Sequence, residues 1–252
     1  QLLLCMIAEQ LIKLPEIQLI QFNTDGLSIK YPRVHQAWVH SVMKWWEDLT
    51  KLTLESAEYS HMFIRDVNNY IAEYTDGTLK RKGTYEYEMG WHQNHSQLVV
   101  AKAAEAALVR GTDIREFING HCDIMDFMLR VKLPRSNTLL WGGDKIQNTT
   151  RYYISTDGDI LEKIMPATGP IGTYKRANKL TDSYYNQILS EAGDDWDERI
   201  HTKNKSKHVE RRSGIQPGWT VQVCNDISEC SFSDINYEYY IQEAKKLVEV
   251  LR

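Results

Sequence analysis

Long hydrophobic runs are missing from this 252-residue sequence, and cysteine and proline are scarce, with four and six copies. The most apolar stretch, residues 2–14, is short and contains Glu9, Gln10 and Lys13, so no membrane span is expected. Neither a phosphate-binding loop of the type G-x-x-x-x-G-K-[ST] nor a G-x-S-x-G nucleophile motif occurs. The sequence therefore gives no signal for a membrane protein, a P-loop enzyme or a serine hydrolase with that motif.

The cysteines do not form a metal-binding pattern. Cys5 and Cys122 are isolated, and no C-x-x-C pair is present that would indicate a zinc site. Cys224 and Cys230 are close enough in sequence to be bridged, but this sparse usage favours four thiols in a reducing compartment. We therefore expect a cytoplasmic protein.

The residues that are present favour a folded chain. Seven Trp, fourteen Tyr and regular aliphatic spacing can build a core, so disorder is excluded. The length fits one large domain or two small ones. The net charge of -4 is an average over local basic and acidic clusters. The chain starts at Gln1 within an apolar helical pattern, from which we expect a piece of a longer protein.

Periodicity predicts mixed α and β structure up to about residue 90. Apolar residues at helical spacing indicate helices over 2–14 and 34–49, and two hairpins are expected near residues 17–31 and 59–87. After a shift in composition at 90–96, mostly helical patterns follow, at 97–110, 113–119, 123–130, 181–191 and 236–251, with short strands at 151–155 and 219–224. The predicted domains are 1–90 and 91–252.

Asp25 stands at the tip of the first predicted hairpin, within Asn23-Thr24-Asp25-Gly26. A carboxylate on such a rigid platform is well placed to bind Mg²⁺, which uses few protein carboxylates and fills its octahedron with water and substrate phosphates. The alternative is an ordinary tight turn, since Asn, Asp and Gly are typical turn residues. Asp66 and Asp76 are better interpreted as turn residues.

Basic residues cluster at three places. Lys80, Arg81 and Lys82 form a cationic strand that either is a solvated edge or contacts the phosphates of a nucleic acid. Two further groups have the same two interpretations: Lys132 with Arg135, which flank a proline, and the dense run containing Lys203, Lys205 and Lys207, which follows an acidic segment.

The order of these features resembles the C-terminal part of family B DNA polymerases, in particular those of phages. The resemblance rests on Asn23-Thr24-Asp25-Gly26 in a hairpin, Asn68-Asn69-Tyr70, Arg81-Lys82-Gly83, and Asn236 to Ile241 in the last helix. Asp25 matches the second, metal-binding Asp of the family's third palm motif, whereas Asn23 replaces the first. Tyr70 matches the Tyr of the family's Lys-x-Tyr motif, and Asn68 stands in place of its Lys.

The resemblance implies an α+β fold, with a palm portion of antiparallel β-hairpins and flanking helices followed by a mainly helical thumb. It implies template-directed nucleotidyl transfer from deoxynucleoside triphosphates to a primer 3′ hydroxyl, with two Mg²⁺ ions held by Asp25 and by a carboxylate outside this chain. Thr24 would lie beside the nucleotide. The expected contacts to primer–template DNA are Asn68, Tyr70, Lys80, Arg81, Lys82, Lys132, Arg135, Lys203, Lys205 and Lys207.

The family's other catalytic motifs lie N-terminal to this hairpin. We therefore expect an N-terminal polymerase portion, in the same polypeptide or as a separate subunit, and an isolated chain that does not polymerise. The expected location is the cytoplasm, that of the host if a phage encodes the protein. Two alternatives stay open: a non-catalytic duplex-DNA-binding or scaffold subunit of a replication complex, and an α+β protein without a nucleic-acid role.

Overall fold

A computed structural model describes residues 2–90, 93–165, 211–226, 228 and 230–251. This part of the chain is mixed α+β, with five α-helices and twelve strands, and all its strand pairs are antiparallel. It forms two compact units. The first unit comprises residues 1–89, 100–117 and 242–252, and the second comprises 90–99 and 118–241. The predicted palm (1–90) and thumb (91–252) domains stay predictions.

The first unit begins with two helices and a hairpin, as predicted. Helix α1 is Leu2–Leu11, strands β1 and β2 are Gln18–Phe22 and Leu27–Lys30, and helix α2 is Gln36–Thr50. Apolar residues three and four apart put one face of each helix into a shared core. That core contains Leu4, Ile7, Leu11, Ile17, Val39, Val42 and Trp46.

The second predicted hairpin is part of a three-stranded sheet in the first unit. Its strands are β3 (Tyr59–Asp66), β4 (Asn69–Tyr74) and β5 (Leu79–Lys82), with β4 in the middle. Ile71 of the central strand β4 is fully buried. Helix α3 (Leu98–Arg110) follows, close to its predicted bounds.

The second unit is built on two antiparallel sheets. Strand β6 is Leu129–Lys132, β9 is Thr149–Asp159 and β12 is Val221–Val223, and they pair in the order β12-β9-β6. The other sheet has the order β11-β10-β7-β8, with β7 Thr138–Trp141, β8 Asp144–Ile146, β10 Leu161–Met165 and β11 Arg211–Gly214. The remaining helices of the described chain are α4, Ile114–Asn119, and α5, Tyr237–Glu249.

The aromatic cluster of the last helix contributes to the core of the second unit. Tyr240 is fully buried, and its hydroxyl donates to the Phe127 carbonyl at 2.7 Å. The same oxygen accepts a hydrogen bond from the Ile154 amide at 3.0 Å. Burial raises the pKa of Tyr240 well above its usual range. The side chain is therefore a neutral core residue that joins helix α5 to β9.

The prediction that the chain is mainly helical after residue 90 is wrong for the residues that the structure describes. Seven strands lie there, beside three helices. Residues 124–127 form one 3-10 turn, and β6 starts at Leu129, where a helix was predicted. The two-residue turn Gly142-Gly143, with φ values of 58° and 93°, reverses the chain between β7 and β8. The predicted helix at 181–191 falls outside the described residues.

The expectation of four thiols is also corrected. Cys224 and Cys230 form a disulfide, and their Cα atoms are 6.1 Å apart, within the range that a bridge spans. The two residues are six positions apart, and that spacing alone does not decide whether they are bridged. Cys5 and Cys122 are free.

Among the described helices, none has both the length and the apolar character needed to cross a bilayer.

Candidate nucleic-acid interface

The turn between β1 and β2 is fixed by Asn23. Its side-chain oxygen accepts hydrogen bonds from the backbone N–H groups of Asp25 at 3.1 Å and Gly26 at 2.7 Å. The Asn23 N–H donates to the Gly26 carbonyl at 3.0 Å and closes the hairpin. Thr24 and Asp25 are both exposed at the tip. The carboxylate of Asp25 is therefore held on a defined turn and is open to solvent.

This turn offers one carboxylate for a metal ion. Across the described residues, no group of three or more His, Cys, Asp or Glu side chains is placed to share a metal. The side-chain oxygen of Asn23 is used within the turn. Asp25 fits a single ligand of Mg²⁺, but this part of the chain does not complete a two-metal site. We therefore assign no catalytic step to these residues alone.

Strand alternation divides the basic residues of β5 between the two faces of its sheet. Lys82 lies opposite Tyr70 of β4, and Lys80 lies opposite Ala72, two residues further along. Lys80, Lys82 and Tyr70 therefore share one face, and Arg81 lies on the other. Tyr59 and Tyr74 add to the first face, with their ring centroids 4.9 Å apart. We call Tyr59, Tyr70, Tyr74, Lys80 and Lys82 the tyrosine–lysine face.

Lys80 is held in place by the tyrosines around it. Its Nζ donates to the Tyr59 hydroxyl at 3.3 Å and lies 6.0 Å from the centre of that ring. Partial burial by itself lowers the pKa of Lys80. The hydrogen bond to Tyr59 and the charges of the neighbouring tyrosines have the larger combined effect, so the pKa of Lys80 is raised. Lys80 is therefore a charged, oriented donor, whereas Lys82 is exposed.

Arg81 points to the opposite face and joins an ion network with helix α3. Its Nε donates to Glu105 Oε2, its Nη2 lies 3.2 Å from Glu105 Oε1, and its Nη1 lies 3.2 Å from Glu88. The guanidinium also stacks 4.5 Å from the centre of the Tyr87 ring, whose hydroxyl donates to Glu105 at 3.0 Å. Burial and the carboxylate of Glu105 raise the pKa of Tyr87 to about 12. Arg81 thus neutralises a carboxylate that is only 3% exposed.

Sequence reasoning missed Glu105. A signal was available, because this acid stands within the alanine-rich apolar stretch of the α3 sequence. A buried acid requires a cation or several donors, so a search for its partner could have begun there.

The turn between β3 and β4 positions Asn68 beside this sheet. Asp66 accepts the Asn68 N–H at 2.9 Å, and both its oxygens accept the side-chain amide of Asn69. These bonds, that of the Asn69 amide most of all, lower the pKa of Asp66, which ends β3 and whose carboxylate accepts hydrogen bonds from the turn. Gly83 has φ 65°, and a Cβ there would meet the Asn68 carbonyl oxygen at 2.3 Å. Only glycine fits, so this close approach explains the glycine after Arg81-Lys82.

The remaining predicted contacts lie elsewhere. Lys132 ends β6 and Arg135 follows in a turn, and both are exposed residues of the second unit. Lys203, Lys205 and Lys207 fall outside the described residues. The structure thus brings together Tyr70, Lys80 and Lys82, with Asn68 at the end of the same sheet.

No protein-family model matches this chain, and a comparison with curated proteins finds no match either.

Proposed function

We propose that this chain is the C-terminal palm and thumb portion of a template-directed DNA polymerase that resembles family B enzymes of phages. The observation that carries the proposal is the tyrosine–lysine face, on which three of the expected residues, Tyr70, Lys80 and Lys82, share one side of the sheet. Tyr70 and Lys82 are direct cross-strand neighbours, and Lys80 lies on the same face. We propose that this face binds primer–template DNA, with Asn68 at its end.

The chemistry of the face supports contacts to a backbone and to exposed bases. Lysine ammonium groups neutralise phosphates, and tyrosine rings provide stacking surfaces that accept any base. Such contacts position a nucleic acid but do not read its sequence. A polymerase needs this kind of contact, because it must hold every primer–template equally.

Asp25 has a separate role in the proposal. It would bind Mg²⁺ together with a carboxylate from the N-terminal polymerase portion, with Thr24 beside the incoming deoxynucleoside triphosphate. The two ions would stabilise the charge that develops during nucleotidyl transfer. The isolated chain is then expected to incorporate no nucleotides. The resemblance to phage enzymes, rather than the cysteine usage, supports the proposal of a cytoplasmic location, that of the host if a phage encodes the protein.

DNA binding by the full chain tests the tyrosine–lysine face. In a titration of labelled duplex DNA over a range of salt concentrations, Lys80→Gln/Lys82→Gln should reduce the slope of log K against log salt by about 1.8, or about 0.9 for each lost phosphate contact. Lys13→Gln, an exposed lysine of the same unit beyond the end of α1, is the matched control and should leave the slope unchanged. An unchanged slope in the double variant would remove this face from the interface.

Primer extension by the enzyme assembled with its N-terminal portion tests Asp25. Asp25→Asn should abolish synthesis and leave duplex binding intact, since the residue is exposed and contributes to the turn through its backbone. Asp76→Asn, a change at another exposed turn aspartate, is the control and should retain synthesis. Normal extension by Asp25→Asn contradicts a metal-binding role.

A second candidate is a non-catalytic duplex-DNA-binding or scaffold subunit of a replication complex. The observation in its favour is that Asn23 replaces an acid and uses its side chain in the turn. This candidate predicts normal DNA binding together with synthesis that does not change in Asp25→Asn. Absence of salt-dependent binding in the unaltered chain would reject both candidates and favour an α+β protein without a nucleic-acid role.

A further inference from the structure

Two arginines face each other across β6 and β9 of the second unit. Arg130 lies directly opposite Arg151. The Arg151 N–H donates to Asn225 at 3.0 Å and its carbonyl accepts from Cys224 at 2.9 Å, while the Arg130 N–H donates to Ser96 at 3.1 Å. Neither N–H group is directed at the other strand, so this is a non-hydrogen-bonded pair, the closer of the two antiparallel arrangements. The two side chains therefore start only about 5 Å apart.

Lys132 extends this charge along the same face. It stands two residues after Arg130 on β6, and Arg130 and Lys132 are exposed while Leu129 and Val131 are buried. Thr149 lies opposite Lys132 on β9. We call Arg130, Lys132 and Arg151 the cationic face.

The cationic face lacks acidic partners within the described residues. The ion pairs found there involve other side chains. The Nη1 atom of Arg151 is shielded from solvent and has no hydrogen-bond partner. Like charges placed directly opposite each other destabilise a sheet, and a buried donor without an acceptor adds to that cost. An anion bound at this face would offset the repulsion between the two opposed arginines.

We propose that the cationic face binds the phosphates of a nucleic-acid strand. The residues seen beside these three are neutral and polar: Ser96 and Asn225 accept the backbone N–H groups of Arg130 and Arg151, and Thr149 lies opposite Lys132. Among the described residues of the second unit, the large exposed apolar side chains are Met125, Ile160 and Phe232, and none of these lies on β6 or on residues 149–151. A membrane-binding surface needs such apolar groups beside its cations, so a phosphodiester backbone is the better ligand.

This inference rests on the proposed function to the extent that both require a nucleic acid. It adds a second binding surface, built from residues of the second unit and distinct from the tyrosine–lysine face of the first. Contacts at this surface go to phosphates, so they are independent of base sequence.

The test is the salt dependence of binding by the full chain to a labelled random-sequence duplex and to the matching single strand. Arg130→Gln/Lys132→Gln should reduce the slope by about 1.8 on duplex DNA and about 1.4 on single strands. At 0.1 M salt this corresponds to roughly an eightfold loss of duplex affinity for each contact removed. Lys145→Gln, an exposed lysine of the other sheet in the same unit, is the control and should retain the slope.

A thermal melt separates binding from a structural role. If the cationic face is a ligand site, Arg130→Gln should melt at the same temperature as the unaltered chain or higher, because it removes a like-charge neighbour. A lower melting temperature together with an unchanged slope overturns the inference.

The outcomes also distinguish this inference from the proposed function. A reduced slope in Lys80→Gln/Lys82→Gln, but not in Arg130→Gln/Lys132→Gln, rejects the cationic face and supports the tyrosine–lysine face. The reverse result supports the cationic face and rejects the tyrosine–lysine face. No binding of either DNA by the unaltered chain overturns both.

Discussion

Replacing Arg81 by Met should destabilise the sheet of β3, β4 and β5 substantially. The change keeps the apolar stem of the side chain and removes the guanidinium, which leaves the buried carboxylate of Glu105 without its principal partner. Breaking a buried ion pair from one side costs about 3–5 kcal/mol. Two partners remain, the Tyr87 hydroxyl at 3.0 Å and the half-exposed Arg110 at 3.8 Å. We therefore expect the lower end of that range, about 3 kcal/mol.

The reciprocal change should cost less. In Glu105→Gln the Arg81 guanidinium retains Glu88, whose side chain is 74% exposed, and it can also reach water. We expect a loss of about 1–2 kcal/mol, the cost of weakened hydrogen bonding rather than of an isolated buried charge. The double variant Arg81→Met/Glu105→Met replaces the pair by apolar groups, and its stability should lie close to that of the unaltered chain.

Hydrogen exchange of the β4 and β5 amides measures the free energy of opening of this sheet, whether or not the two units unfold together. The three variants form a double-mutant cycle. The reasoning is refuted if Arg81→Met costs less than about 1 kcal/mol, or if the cost of the double variant equals the sum of the two single ones. The same Arg81→Met chain, titrated with duplex DNA below its unfolding transition, also tests the expected contact of Arg81 with DNA. A decrease of about 0.9 in the slope of log K against log salt would confirm that contact.

Three further predictions concern single side chains, and a fourth concerns the cysteines. Because the pKa of Tyr87 is raised to about 12, the contribution of its neutral hydroxyl to stability is fully present below pH 10 and is lost between pH 10 and about 12. Tyr87→Phe should therefore lose less protection of the sheet amides against hydrogen exchange over that interval. Equal pH profiles for the two chains would contradict the raised pKa. Tyr240→Phe should destabilise the second unit in urea by about 1–3 kcal/mol for each of its two buried hydrogen-bond partners, and a cost under about 0.5 kcal/mol would argue against those bonds. Asn23→Ala should cost about 1 kcal/mol more than Asp25→Ala, since the Asn23 side chain accepts two backbone N–H groups of the turn; comparable urea midpoints for the two variants would count against this. Thiol titration of the denatured chain should give two thiols before reduction and four after it, and four at the outset would contradict the disulfide.

Local patterns were sufficient for much of the first unit. The helical spacing of Leu3, Ile7 and Leu11 predicts α1, and the turn residues Asn23 to Gly26 predict the hairpin that carries Asp25. These elements depend on neighbours in sequence, so the sequence alone indicates them.

The second unit was harder to predict. Short strands such as β6 and β7, four residues each, carry too few alternations to stand out from a helical pattern. Their pairing depends on partners far away in sequence, as for Val221 of β12 with Ile154 of β9. A helix is therefore predicted over 123–130, where the structure has a 3-10 turn and the start of β6.

The amino-acid sequence supplies the residue types: a lone carboxylate on a turn, a run of three basic residues at 80–82, and aromatic residues nearby. The tertiary structure decided what each of them faces. Because strand side chains alternate between faces, Lys80 and Lys82 meet tyrosines while Arg81 meets a buried glutamate from helix α3. Strand pairing likewise put Arg130 opposite Arg151, and only the register of two strands separated along the chain could do that.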